Sequence, residues 1–485
     1  MWGLVVGWVN ARECPPGKGN WGCKTDQLPH KEGTSEMKPT WTRPRLDVSA
    51  TGVGIVNHGG VRLLCDLADG LGLTEALSTA AAPTTGRGFR HDRGRVLVDL
   101  AVMLADGGRC LSDLSVLGTQ EELFGPVASV PTAWRVVQSI DAAGLEAIDR
   151  ARAETRRRVW EAGADPGFYV LDLDATLVGA HSDKEGAAPT YKRGYGFHPL
   201  LCYLDGTGEA LAGVLRPGNA GSGTAADHVT VLDRALDQLP VFEHDRPRDG
   251  IEIVARGDSA ACSHDFVDAC RSRGIRFSVG FPLTVETAKA VVGVPNVHWS
   301  PAISPDGTEE RQGAEVTEVT HLVDLSSWPE QTRAIARRED PHPGSQFTFT
   351  DLDGHRFQVF LTDQTDSDIA FLEARQRGRA RAEQSIAAAK DSGLANLPFS
   401  KFDANQVWLR IVLICQDLVA WAQTLLLTGD LQHAEPKRLR YALWHQAGNL
   451  ARSGRRTRLR LQRTWPWAHQ LADAFERLHT LPTIA

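Results

Sequence analysis

Three acidic stretches sit where chemistry could be done. The first, Asp172-Leu173-Asp174-Ala175-Thr176, closes an apolar, β-branched run that opens at Phe168. Strand alternation puts Asp172 and Asp174 on one face at the carboxyl end of that run. Carboxylates there are costly unless they meet solvent, a partner or a metal. The second is Arg256-Gly257-Asp258-Ser259, an acid just past the run Ile251–Ala255. A turn aspartate capping the next helix is the plainer reading of Asp258 alone. The third is the stretch Arg375 to Gly393, in which Arg375, Arg379, Glu383 and Lys390 are spaced by 4, 4 and 7. At 3.6 residues per turn these four share one stripe of a continuous helix. One acid bordered by bases suits a metal ligand flanked by phosphate contacts. A solvated face with i,i+4 pairs, each worth about 0.3–0.5 kcal/mol, explains the same spacing less specifically. Arg377 and Arg381 fall off the stripe.

The elements that must position these residues follow from hydrophobic period. FYVLDLDATLV, HPLLCYLD and EALAGVLRPG read as strands, the last two joined by the turn Asp205-Gly206-Thr207-Gly208. TAADHVTVLDRALDQL reads as a helix, IEIVARGD as a buried strand, HDFVDACRSRG as a helix and RFSVGF as a fifth strand. Short strand runs (EVTHLVDL, QFTFTDLDGHRFQVFLTD) then lead into a long helix over 371–390. The order β-β-β-α-β-α-β-α predicts an α/β protein with an RNase H-like core. In such a core the ends of the first and fourth strands and the last helix converge, bringing Asp174, Asp258 and Glu383 together. Three converging carboxylates repel unless they bind divalent cations. Two such ions about 3.5–4 Å apart activate water and stabilise a leaving 3′ oxygen in phosphodiester displacement.

With these residues in place the chain resembles the DDE transposases of bacterial insertion sequences, in the branch marked by Tyr-x2-Arg-x3-Glu-x6-Lys. Arg379, Glu383 and Lys390 fit that spacing, and Gln376 stands at the tyrosine position. The resemblance runs from about Met37 to the C-terminus, including the Asp-x-Thr motif at Asp174 and the Gly-Asp-Ser motif at Asp258. It implies a metal-binding triad of Asp174, Asp258 and Glu383 holding Mg²⁺, with Mn²⁺ able to substitute. Asp172 is the alternative ligand, Asp174 being preferred because it occupies the Asp of Asp-x-Thr. It further implies Arg379 and Lys390 as contacts to the transposon-end backbone, with Arg375 and Lys192 as further DNA contacts. An aromatic from the insertion, Trp299 or Trp328, would stack against a hairpin intermediate. The partners implied are double-stranded DNA, both terminal inverted repeats and target, and a second copy of the chain in a synaptic homodimer. The activity implied is cut-and-paste strand cleavage and strand transfer.

Two rivals remain open at this level. VLDLDATLV also matches a haloacid-dehalogenase-type phosphohydrolase, with Asp172 as nucleophile and Asp174 as acid/base, but the spacing from Asp258 to Asp265 is too long for its acidic pair. A transposase-derived DNA-binding protein with an inactive site is the non-enzymatic alternative. His181 and His198 lack partners at metal-ligand spacing. The stretch VPTAWRVVQSIDAAG, with Arg135 facing out, fits the second helix of a helix-turn-helix or an ordinary core helix.

Composition bounds all of this. The chain has 485 residues, 53 basic and 60 acidic, and a formal charge of −7, which excludes a uniform polycation. The eight cysteines lack CxxC spacing and are too sparse for a disulfide scaffold, which suits a reduced cytoplasm; the resemblance to insertion-sequence transposases implies a bacterial, nucleoid-associated setting. The opening MWGLVVGWVN has no basic n-region or cleavage site, and the apolar stretch 407–427 carries Arg410, Gln416, Asp417 and Gln423, so no membrane is expected. The expected organisation is an extension over 1–36, disordered or preceding the true start at Met37; a helical DNA-binding segment over 37–165; the core's first part over 166–282; a β-rich insertion over 283–370; and the last core helix with a basic helical region over 371–485. From Lys437 to Arg463 there are nine basic residues and no acid, read as a basic helix pair with aromatic anchors facing DNA.

Overall fold

The computed structural model describes residues 46–82, 91–221, 224–304, 307–341, 351–454 and 456–482. The chain divides into Met1–Gly52 and Val53–Ala485. The first unit is described only over 46–52, without helix or strand, so the expected extension 1–36 lies outside the described residues. The remainder concerns the second unit.

Its first part is helical: α1 (Arg62–Gly70), α2 (Leu73–Ala80), α3 (Arg93–Ala105), α4 (Val130–Gln138) and α5 (Ala142–Val159). Helices α1 and α2 are separated at Gly72, whose φ of 74° is the left-handed conformation that favours glycine. Asp92 caps α3 by accepting from the Arg95 amide at 2.8 Å. Arg135 on α4 is exposed, with its guanidinium folded onto the Pro131 carbonyl at 3.1 Å.

A ten-stranded mixed sheet follows. Its strands are β1 (Tyr169–Ala175), β2 (Leu200–Leu204), β3 (Ala210–Val214), β4 (Ile253–Gly257), β5 (Arg276–Phe281), β6 (Ser300–Ile303), β7 (Glu310–Glu318), β8 (Arg333–Glu339) and β9 (His355–Thr362), with Asp351–Leu352 paired to β9. The spatial order is β6-β7-β8-β9-β5-β4-β1-β2-β3. β1, β2 and β3 run antiparallel, and β4 and β5 run parallel to β1. Helices α6 (Ala225–Leu236) and α7 (His264–Ser272) make the crossovers. β1, β2, β4 and most of β3 are buried, as near-continuous apolar runs require. The β-rich insertion is no separate sheet, because β9 pairs antiparallel with β5 and extends the same sheet. The run EVTHLVDL contributes only its first residue to a strand, β7 ending at Glu318. The run QFTFT falls outside the described residues.

Two further expectations are corrected. The helix expected over 371–390 is two helices, α8 (Ile369–Arg377) and α9 (Ala380–Ala389). A continuous helix would give the Arg375 carbonyl to the Arg379 amide. Instead the Arg256 guanidinium takes that carbonyl, and the Arg379 amide donates to Gln376 at 3.2 Å. The i,i+4 ladder is therefore broken between Arg375 and Arg379. The basic block, expected as a helix pair, becomes a helical turn followed by a hairpin of β10 (Gly448–Ser453) and β11 (Arg456–Leu461), with Ile55–Val56 as its third strand.

Helix α10 (Phe402–Leu425) is long and apolar enough to cross a membrane, yet 83 % of its most apolar window is buried. It packs against α3, α5 and β3. Its polar residues make that joint: Asp417 accepts from Arg152 and Arg156 of α5 at 2.8 Å each and from the Ala210 amide at 3.0 Å. Arg410 meets Asp149 at 3.1 Å.

Candidate functional site

The carboxyl end of β1 separates the two aspartates that alternation places on one face. Asp172 is two residues deeper, 1 % exposed, and its partner across the parallel ladder is Arg256 on β4. The guanidinium engages both carboxylate oxygens, Nε to Oδ1 at 2.5 Å and Nη2 to Oδ2 at 2.7 Å. The same arginine reaches Asp205 at 3.0 Å, and Asp205 takes both Nε and Nη2 of Arg381, at 2.5 and 2.6 Å. Burial would raise the Asp205 carboxyl, but the hydrogen bonds and charges of Arg381 and Arg256 hold it below the ordinary value. Asp172 is thus one end of a closed ionic chain under the site. Neither a ligand role nor the nucleophile role of the phosphohydrolase reading fits it, since both oxygens are taken and solvent is excluded.

Asp174, at the rim, is only partly buried. Asp258 directly follows β4, accepts from the Ala260 amide at 2.9 Å, and keeps 44 % of its side chain exposed. It is a turn aspartate as well as a site candidate. Arg379, at the junction of α8 and α9, points between these two acids, 3.1 Å from Asp174 and 3.8 Å from Asp258. Its buried Nε has no hydrogen-bond partner. Glu383 follows one turn later, exposed on α9. Burial raises the Asp174 carboxyl, Arg379 opposes this, and the charges of Asp258 and Glu383 raise it further. Lys390, at the end of α9, is lowered by burial and by the charge of Lys192, and raised by that of Asp174. The structure thus gathers Asp174, Asp258, Glu383, Arg379, Lys390 and Lys192.

Arg375 and Trp299 stand apart in kind. The Arg375 guanidinium bonds to Gln364, pairs with Glu252 at 3.0 Å and lies 4.4 Å over the Phe168 ring. Expected as a DNA contact, it is held in this structure by these internal partners. Trp299 is 7 % exposed, 6.1 Å from Phe357 and covered by Arg338 at 4.5 Å. Its face is already stacked. Trp328 is half-buried, 4.2 Å from His264.

Sequence reasoning missed Arg256, Asp205, Arg381 and the tie made by Gln376. That glutamine accepts from Ser278 of β5 at 2.6 Å and donates to the Gly257 carbonyl at 3.3 Å, pinning α8 beside Asp258. The signal for Arg256 was present, because an arginine inside IEIVARG requires a buried acid.

The acid set is wholly carboxylate oxygen, the donor chemistry of Mg²⁺ and Mn²⁺. A guanidinium lies between two of the acids, in the place a compensating positive charge would take. The residues fit divalent cations. Among the described residues, the group of three whose ligand atoms all lie within 4.8 Å of one another is a different one, His58, Asp106 and His445, so the three acids stand further apart than that. There His58 meets Asp106 at 2.6 Å and His445 meets the Asp106 carbonyl at 2.8 Å, spacings of hydrogen bonds.

Comparison with known proteins matches residues 38–483 to the family model for the transposase DDE domain, group 1. No curated protein matches. A solved structure, the piggyBac transposase synaptic complex with hairpin DNA by cryo-electron microscopy, is 10 % identical, with 79 % of this chain and 78 % of that chain covered and a TM-score of 0.37. At that score the likeness carries no structural argument.

Proposed function

The chain belongs to the transposase DDE domain family, and from that premise we propose that it is a metal-dependent DNA strand transferase of the cut-and-paste kind, built on an RNase H-like core. The observation that carries this is the placement of Arg379 between Asp174, 3.1 Å away at the end of β1, and Asp258, 3.8 Å away just past β4, with Glu383 one turn further along α9. The antiparallel triplet β3-β2-β1 followed by parallel β4 and β5 supports the core assignment.

Asp174, Asp258 and Glu383 would hold Mg²⁺, with Mn²⁺ able to substitute. Bound there, the ions supply activation of water and of the 3′ hydroxyl and charge relief at the leaving oxygen. Water attack at a transposon-end phosphodiester breaks the bond to the 3′ oxygen, and that hydroxyl then attacks a target phosphodiester, displacing its 3′ oxygen. The chain's own residues orient the strands. Arg379 turns from the acids to a non-bridging phosphate oxygen, and Lys390 and Lys192 flank the path as point charges. Asp172, Arg256, Asp205 and Arg381 hold β1, β4 and α9 in register beneath. Double-stranded terminal repeats and target DNA are the substrates, a second copy of the chain completes the synapse, and the bacterial cytoplasm is the setting.

The test uses DNA carrying the inverted repeats that bracket the gene. Glu383→Gln should bind that DNA as the wild type does and lose Mg²⁺-dependent cleavage by more than about 100-fold, the upper effect of second-layer ligand changes. Wild type cutting no better than Glu383→Gln would mean a non-catalytic descendant. Hydrolysis of a phosphomonoester, with no cleavage of DNA, would return the phosphohydrolase reading.

A further inference from the structure

Past the proposed site, the hairpin of β10 and β11 carries a second feature. Antiparallel register sets Leu450 opposite Leu459, and Leu450, Leu459 and Leu461 pack inward on the main core. Strand alternation then directs Arg456, Arg458 and Arg460 together to the opposite, solvent face. That register is locked, because a Cβ on Gly448 would stand 2.5 Å from Leu459 and the hairpin is bonded to Ile55–Val56 on its other side. Arg452, Arg456, Arg458, Arg460 and Arg463 are exposed. No ion pair among the described residues involves any of the five, whereas arginines elsewhere in the fold are extensively paired.

Just beyond β11, Trp465 and Trp467 pack with Tyr441 at ring separations of 5.4–5.7 Å, and Arg438 lies 4.6 Å over Trp467. Trp465 donates to the Ala442 carbonyl at 2.8 Å, fixing the base of the hairpin. A cavity of about 840 Å³ is lined by Lys437, Arg381 and Lys390.

We infer that this hairpin face is a sequence-independent contact for the sugar-phosphate backbone of duplex DNA, outside the cleavage site. Charge and spacing favour that occupant. Three arginines at every second position form a row about 13 Å long. A duplex offers one negative charge per about 1.7 Å of axis, so several phosphates lie within reach. With no acid from Lys437 to Arg463, the hairpin itself contributes no charge that repels a polyanion. The assignment rests on the transposase reading only for the identity of the polyanion.

The test measures binding of the full chain to a 30-bp duplex of unrelated sequence by fluorescence anisotropy, across a range of salt. Replacing Arg456, Arg458 and Arg460 together by alanine should flatten the slope of log K against log [salt] by about 2.7, three contacts at about 0.9 each. The triple lysine replacement should restore the slope, which separates charge from folding. A wild type that cuts no better than Glu383→Gln while keeping its own salt slope sinks only the catalytic reading and leaves this inference standing. An unchanged slope in the alanine variant, with lysine and wild type alike, overturns the inference. So does capture by phosphatidylserine vesicles that the alanine variant alone loses while its DNA slope stays intact, since the face would then belong to an anionic membrane.

Discussion

Asp172 and Asp174 show how two identical residues on one strand face take opposite duties. Asp172 is sealed against Arg256, while Asp174 is at the rim with other acids. Removing one partner of a buried pair costs about 3–5 kcal/mol, since the remaining charge is left uncompensated. Asp172→Ala should lose about that much in urea denaturation. Asp174→Asn should hold wild-type stability or gain slightly, because it relieves repulsion, and should lose Mn²⁺ binding by calorimetry. The reverse pattern would make Asp172 the ligand. At this scale the acids could be found in the sequence, because a charge at the end of an apolar run is conspicuous. Their neutralising partners could not, because Asp205 looks like any turn aspartate until Arg256 and Arg381 are seen to close on it.

At the scale of elements, period told strands from helices through β1 to β5 but failed twice near arginines. Arg375 to Lys390 has helical spacing throughout, and what divides it is a tertiary donor, Arg256, invisible to any local pattern. The hairpin was available: Arg456-Thr457-Arg458-Leu459-Arg460-Leu461 alternates with period two, and the density of charge masked it. Helix α3 supplies a pH dependence. Burial pushes the Asp99 carboxyl up to about 7, with Arg95 at 3.9 Å opposing only in part. The folded protein keeps a proton that the unfolded chain releases near its ordinary value of 3.8. This contribution to stability is complete below about pH 4 and is lost as pH rises through about 7. Asp99→Asn should therefore gain melting temperature over wild type as pH is raised from 5 to 8, and a constant difference would show Asp99 ionised throughout.

For the whole molecule, the charge of −7 hides a partition. From Phe371 to Arg463 there are 16 basic and 7 acidic residues, leaving −16 on the rest. Part of that basic excess, Arg410 included, is spent internally, so the surface share rests with the hairpin and the α9 end. The helical part and the sheet share one core through Asp417, which compensates both Arg152 and Arg156. Asp417→Ala should lower stability by at least about 3–5 kcal/mol and split a single thermal transition into two by calorimetry; one transition at the wild-type temperature would show the joint to be dispensable. How the insertion would join the sheet was not readable from its composition, because pairing of β9 with β5 is a long-range choice. The same is true of Ile55–Val56, which closes on β10, where Asn449 reaches the Val53 carbonyl 396 positions away. A ribosome must therefore release almost the entire chain before this small sheet can assemble. The arginine row is thus a late surface to mature, and a polypeptide cut short anywhere before Gly448 would leave Ile55–Val56 without its strand partner.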